Sequence, residues 1–96
     1  MTYKLKFHPD ALEEWESLSQ IDKDFLKKKL EQRLENPHIP KSRLSGGRNL
    51  YKIKRKRPSL RLTYNVDDQD LVVITLSIGK RDSDVYKEMI ARFSSV

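Results

Sequence analysis

The side chains of this sequence with chemistry to offer are mainly cations. Lys52 and Lys54 alternate with Tyr51 and Ile53, Arg61 lies between Leu60 and Leu62, and Lys80-Arg81 follow Gly79, with Tyr86 shortly after. Lysine and arginine clamp phosphate and stabilise charge that develops on it. The surrounding charge is uneven. Residues 41–61 carry 9 basic residues and no acidic one, residues 1–40 carry 7 basic and 8 acidic, and residues 62–96 carry 4 basic and 6 acidic. A positive field this concentrated selects a polyanion: nucleic acid, an anionic membrane or an acidic protein.

Among polyanions, RNA brings its own nucleophile, the 2′-hydroxyl. Cleaving it requires in-line attack on phosphorus, removal of the 2′ proton, support for the charged phosphorane and protonation of the 5′ leaving oxygen. No metal or other cofactor is expected for this, because the basic segment contains no carboxylate and no ligand cluster stands out. His8 ends the first strand pattern and His38 lies in a loop, so both read as surface or capping residues. The remaining proton carriers are Lys52, Lys54, Arg61, Arg81 and Tyr86. An ordinary lysine, with a pKa of about 10.4, is a poor base at neutral pH. Crowding lowers it: two cations ~7 Å apart at an effective dielectric of ~20 repel by roughly 2.4 kcal/mol. Bound phosphate acts in the opposite direction.

The elements that must position these groups follow from periodicity. Tyr3, Leu5 and Phe7 alternate with Lys4 and Lys6 as a half-buried strand over residues 2–7. Pro9, Asp10, Glu13 and Glu14 open a helix over residues 9–18, with Ala11, Leu12, Trp15 and Leu18 as its apolar stripe. Ser19 with Asp22 resembles a capping box that starts a second helix, striped by Ile21, Phe25, Leu26, Leu30 and Leu34 and ended by Asn36-Pro37. The short link makes the two helices an antiparallel hairpin. Residues 37–48 form a loop with Gly46-Gly47. Three strands follow, from Leu50 to Arg55, from Leu60 to Val66 and from Leu71 to Ile78, joined by turns as an antiparallel meander. A last helix spans residues 83–93, striped by Val85, Met89, Ile90 and Phe93.

The expected fold is a single α+β domain over residues 1–96, in the order β-α-α-β-β-β-α. An antiparallel sheet packs on a helical hairpin, and a short C-terminal helix follows. With Tyr51, Ile53, Leu60, Leu62, Tyr64, Val72, Ile74 and Leu76 facing the helices, the opposite face carries Lys52, Lys54, Arg61, Thr63, Val73, Thr75 and Ser77. Like charges side by side on a sheet are destabilising, and a bound anion explains such a cluster better than stability does.

Composition excludes other classes. Of 96 residues none is cysteine, which rules out disulfides, a thiolate nucleophile and thiolate metal sites. No apolar run reaches the ~20 residues of a membrane span, and Met-Thr-Tyr-Lys-Leu-Lys-Phe has no signal-peptide core, so a cytoplasmic protein with no membrane partner is expected.

Leu50-Tyr51-Lys52-Ile53-Lys54, Leu60-Arg61-Leu62-Thr63-Tyr64, Ile78-Gly79-Lys80-Arg81 and Val85-Tyr86 together resemble the RelE family of bacterial type II toxins. Ala11-Leu12-Glu13-Glu14-Trp15 and Leu26-Lys27-Lys28-Lys29-Leu30 extend the resemblance over nearly the whole chain. It implies a RelE/ParE-like domain and an mRNA interferase that enters the A site of the 70S ribosome and cuts the mRNA codon. It also implies a RelB-type antitoxin, and operator DNA bound only through the antitoxin complex. The family's catalytic positions fall on Lys52, Lys54, Arg61, Arg81 and Tyr86. Lys52 and Lys54 would share base and phosphate duties, Arg61 would stabilise the transition state, Arg81 would be the general acid, and Tyr86 would stack on or orient the RNA. The link Asp82-Ser83-Asp84 is one residue shorter than the family's. The Glu and His of YoeB-like members are absent from the corresponding strand positions. ParE-like members, which poison gyrase, typically lack this full Lys/Arg/Tyr set. Charge alone adds a docking set for ribosomal RNA: Lys27, Lys28, Lys29, Arg33, Lys41, Arg43, Arg48, Arg55, Lys56, Arg57 and Lys80. The competing readings are a gyrase-poisoning relative and a non-catalytic nucleic-acid-binding module.

Overall fold

Local signals open both hairpin helices where the sequence places them. In the computed structural model, which describes residues 2–94, strand β1 (Lys4–Phe7) leads into helix α1 (Pro9–Glu16). Pro9 takes the first turn, where its missing N–H costs nothing, and the His8 imidazole Nδ1 accepts from the Asp10 N–H at 3.2 Å. Helix α2 (Gln20–Glu35) starts at Ser19, whose Oγ accepts from the Asp22 N–H at 3.2 Å. It stops at Asn36, before Pro37. A 3-10 turn (Pro40–Ser42) breaks the following loop. Then come β2 (Leu50–Arg55), β3 (Leu60–Asp67), β4 (Val72–Gly79) and helix α3 (Asp82–Phe93).

The sheet order is β1-β4-β3-β2. The meander β2-β3-β4 is antiparallel, as expected, but β1 pairs with β4 in parallel, Leu5 opposite Val73, so the sheet is mixed. A period of two tells a strand from a helix but carries no information on direction, which the helical crossover decides here.

Two cores sandwich the sheet. Leu26 and Leu30 of α2 pack on Tyr51, Ile53, Leu60, Leu62, Tyr64, Val66, Val73 and Ile78. On the other face, Leu50, Leu76 and Met89 of α3 form a smaller core with Leu44, Ile74 and Phe93. This corrects the expected faces of β4. Register slips between Thr63 and Tyr64, so Thr63 pairs with Ser77 while Tyr64 pairs with Thr75, leaving Leu76 as an extra residue. Before the bulge Val73 faces the hairpin and Ile74 faces α3; Leu76 also joins the α3 core, and Ile78 returns to the hairpin side. One inserted residue reverses the alternation beyond it, and no hydropathy pattern reports it.

The apolar stripes also need correction at their margins. Ile21 is 77% exposed, Leu12 44% and Ile90 43%. Spacing defines a stripe but not how far the opposing surface extends along it. In α3 the buried positions are Val85, Met89 and Arg92. Arg92, only 9% exposed, donates to Glu14 Oε1 (2.7 Å) and Oε2 (3.1 Å), to Glu88 Oε2 (3.2 Å) and to the Leu76 carbonyl (2.9 Å). Glu14 Oε1 also accepts from the Ile78 N–H at 3.0 Å. The fork ties α1, β4 and α3 together. Arg92→Ala strands the partly buried Glu14 carboxylate and is expected to lower unfolding free energy by about 3 kcal/mol in urea denaturation. Ile21→Lys should change it by no more than about 0.5 kcal/mol; equal effects of the two would contradict this account.

Candidate active site

Strand pairing builds the site as two rungs. Lys52, Thr63 and Ser77 pair in register across β2, β3 and β4, and the adjacent rung is Lys54, Arg61 and Gly79. Directly opposed residues have Cβ atoms roughly 4.5–5.5 Å apart, so Lys54 and Arg61 are held close whatever their side chains prefer. Both belong to strands anchored below by Ile53, Leu60 and Leu62, which are fully or almost fully buried.

Gly79 ends the second rung. A Cβ there would meet Val85 Cγ2 at 2.8 Å, so glycine is what lets α3 fold back against the end of β4. Arg81 follows in extended conformation (φ −113°, ψ 129°) as the N-cap of α3, and its carbonyl accepts from the Val85 N–H at 3.0 Å. The first rung then pins the helix: the Thr63 and Ser77 hydroxyls share a 2.5 Å hydrogen bond, and Ser77 Oγ donates to the Val85 carbonyl at 2.8 Å. Tyr86, next along α3, is half-buried. The fold thus brings Lys52, Lys54 and Arg61 to one patch of sheet and places Arg81 and Tyr86 on the segment docked beside it. A cleft of about 240 Å³ lies between α1, the end of β4 and α3, lined by Lys80 and Arg81 but also by Glu14, Asp84 and Glu88; Lys52, Lys54, Arg61 and Tyr86 lie outside it.

Electrostatics of the patch are uneven. The Lys54 ammonium is held below the usual lysine range, first by the facing Arg61 guanidinium, then by partial desolvation and by Lys52 and Lys56. Arg61 has company: Nη1 donates to Ser59 Oγ at 2.6 Å, and Nε is ion-paired with Asp82. Ser59 and Asp82 were absent from the sequence-derived site. By sequence Ser59 falls in a turn and Asp82 in the link before the last helix, and only the tertiary fold brings either to Arg61.

The expected docking cations divide. Arg33 is an internal strut, donating to the Lys52 carbonyl (3.0 Å), the Tyr64 hydroxyl (2.9 Å) and Ser42 Oγ (3.3 Å). Arg55 pairs with Asp22, donates to the Pro58 carbonyl at 2.9 Å and lies 5.0 Å from the Phe25 ring centroid. It holds the Asp22 carboxyl below its usual range. Lys27, Lys28, Lys41, Arg43, Arg48, Lys56, Arg57 and Lys80 are exposed. His8 caps α1, as expected, and His38 bonds the Asp68 carboxylate at 3.1 Å. Among the described residues no three His, Asp or Glu side chains converge to hold a metal ion, and no helix is long and apolar enough to cross a membrane.

The charge coupling is measurable. In an NMR titration of the lysine ε-carbons, Lys54 is expected to titrate below its ordinary value. Arg61→Gln removes a cation that disfavours the protonated form, so it should move the Lys54 midpoint upward, as should added salt. A midpoint indifferent to both would contradict the arrangement.

Comparison with known proteins gives a consistent answer. The family model for the ParE toxin of type II toxin–antitoxin systems, parDE, matches residues 5–85. The chain is 43% identical over 93 residues to the mRNA interferase toxin RelE of Escherichia coli K12, covering 96% of this chain and 98% of that protein. The same identity and coverage hold for the mRNA interferase RelE of Shigella flexneri. Among solved structures, E. coli RelE in the free state, with two arginines replaced by alanine, superposes with a TM-score of 0.88 at 41% identity, covering 96% of this chain and 98% of that one. RelE in the intact E. coli RelBE toxin–antitoxin complex gives 0.80 at 41% identity, covering 83% and 98%. With a matching family model over most of its length and full-length kinship to RelE, the chain belongs to the RelE/ParE family of type II toxin–antitoxin toxins.

Proposed function

We propose that this chain is a toxin of the mRNA interferase type that cuts messenger RNA in the ribosomal A site, and that a RelB-type antitoxin restrains it. The observation that carries the reading is the rung Lys54–Arg61–Gly79 with Arg81 just beyond it. Two cations face each other across adjacent strands, and a third sits at the adjoining helix start. Such an arrangement serves a phosphate that gains charge during reaction. The relatives named mRNA interferase and the RelBE complex support the activity and the antitoxin.

In the proposed reaction the 2′-oxygen bonds to phosphorus as the P–O5′ bond breaks. This leaves a 2′,3′-cyclic phosphate on one fragment and a 5′-hydroxyl on the other. Lys54, with its proton held loosely by the neighbouring cations, takes the 2′ proton or shares that duty with Lys52. Arg61 bears on the phosphorane oxygens, Arg81 supplies the proton to the leaving 5′-oxygen, and Tyr86 stacks on or orients a base. Cations spread over a sheet face and a helix start leave the in-line geometry to something else, and the ribosome is that template. Exposed Lys27, Lys28, Arg43, Arg48, Lys56, Arg57 and Lys80 supply the attraction for ribosomal RNA. Operator DNA is reached only through the antitoxin complex.

A translating ribosome on a defined mRNA, with cuts mapped by primer extension, tests the reading. Cuts inside the A-site codon are expected, absent from naked mRNA. Lys54→Ala or Arg81→Ala should lower cleavage at least about 100-fold while ribosome binding persists. Binding lost together with cleavage in these variants would point to a non-catalytic nucleic-acid module, and no cleavage or ribosome binding by the wild type to a gyrase-directed relative. Reversing charge at Lys28 and Arg57 should weaken ribosome binding and flatten its salt dependence; an unchanged salt series would contradict the docking role.

A further inference from the structure

Ser59 closes the turn between β2 and β3, and its hydroxyl makes two bonds of opposite sense. It accepts from Arg61 Nη1 at 2.6 Å and donates to the Lys80 carbonyl at 2.8 Å. The first partner is the guanidinium that faces Lys54. The second is the peptide group immediately before Arg81. One hydroxyl therefore bridges the two arginines of the candidate site, one through its side chain and the other through its backbone. Only a group that donates and accepts at one atom can do this, and among small side chains that means a hydroxyl.

The turn bearing Ser59 is itself fixed. Arg55 Nε donates to the Pro58 carbonyl at 2.9 Å, and the same guanidinium is ion-paired with Asp22 on α2. Ser59 is thus a post anchored to the helical hairpin. From the other side Asp82, the residue after Arg81, ion-pairs with Arg61 Nε. Arg61 is held at Nε and at Nη1 by groups on either side of Arg81's backbone, so a shift of the Lys80–Asp82 segment would carry the guanidinium with it. A long arginine side chain otherwise spends its time among many rotamers, and an in-line displacement tolerates little misplacement of the charges that receive it.

We infer that Ser59 is a positioning residue: its hydroxyl sets the spacing between Arg61 and Arg81 so that both bear on the same phosphate. This rests on the proposed function, in which those arginines handle the scissile phosphate. Ser59 itself touches no reacting atom.

The test is single-turnover cleavage of ribosome-bound mRNA by wild type, Ser59→Ala and Ser59→Thr, with ribosome affinity and melting temperature measured alongside. Ser59→Ala is expected to cut about 10- to 100-fold more slowly at saturating toxin, with half-saturation unchanged within about twofold. Ser59→Thr, which keeps the donor and the acceptor, should stay within about threefold of wild type. A side-chain nitrogen NMR spectrum should show Arg61 guanidinium rotation slowed in wild type and Ser59→Thr and released in Ser59→Ala. An alanine variant that cuts at the wild-type rate overturns the inference. So does a variant that binds ribosomes more weakly at an unchanged rate, which makes Ser59 a docking contact. A threonine variant as slow as alanine also overturns it, because the hydroxyl is then not what matters. If wild type leaves ribosome-bound mRNA intact, the proposed function fails and the positioning role with it. If wild type cuts and Ser59→Ala cuts equally well, only the positioning role fails.

Discussion

Arg92 is nearly buried, and its guanidinium donates to Glu14, Glu88 and the Leu76 carbonyl. A buried cation is tolerated only when its donors find acceptors, so the helix that carries it has one seat on the sheet. Glu14 links that seat to the backbone of Ile78, one residue before the glycine that opposes Arg61. Everything downstream of β4 inherits its position from this fork. If α3 shifted, the Ser77 hydroxyl would lose the Val85 carbonyl. Arg81 and Tyr86 would then leave the patch defined by Lys52, Lys54 and Arg61.

The site sets cations on neighbouring strands, which works against sheet stability. The fold offsets this locally. Ile53, Leu60 and Leu62 are buried beneath the charged rungs, and Asp82 lies against Arg61. The residual repulsion remains at Lys54, where the ammonium is held below its ordinary range. Charge density costly to a free domain would become favourable were a phosphate bound, because each cation would then gain an opposite charge. Strain of this kind is expected where function and stability compete.

The basic surplus serves two ends. Arg33 and Arg55 bind carbonyls, hydroxyls, a carboxylate and aromatic faces within the fold, and they join α2 to the β2–β3 ribbon. Arginine suits this because its planar fork donates in several directions and stacks on rings. Lys27 and Lys28 of α2 and the turn residues Lys56 and Arg57 stay exposed, whereas Lys29 is half-buried, its ammonium 6.0 Å from the Phe25 ring centroid.

Much of the architecture was legible from local patterns. The element order, the Ser19 cap and the turns of the meander follow from caps, breakers and a period of two, which act over a few residues. Alternation likewise sends Lys52 and Lys54 to one face. What the tertiary structure alone decided involves pairs far apart in the chain. The parallel pairing of β1 depends on how the helices return the chain. The bulge at Leu76, which moved Ile74 and Leu76 to the α3 side, depends on packing two cores at once. The exposure of Ile21 depends on where the sheet beneath α2 ends. Glu14, which holds Arg92, and Ser59 and Asp82, which hold Arg61, in sequence look like helix-start, turn and link residues. Periodicity assigns a side chain to a face, but only the packed chain brings it to a particular atom.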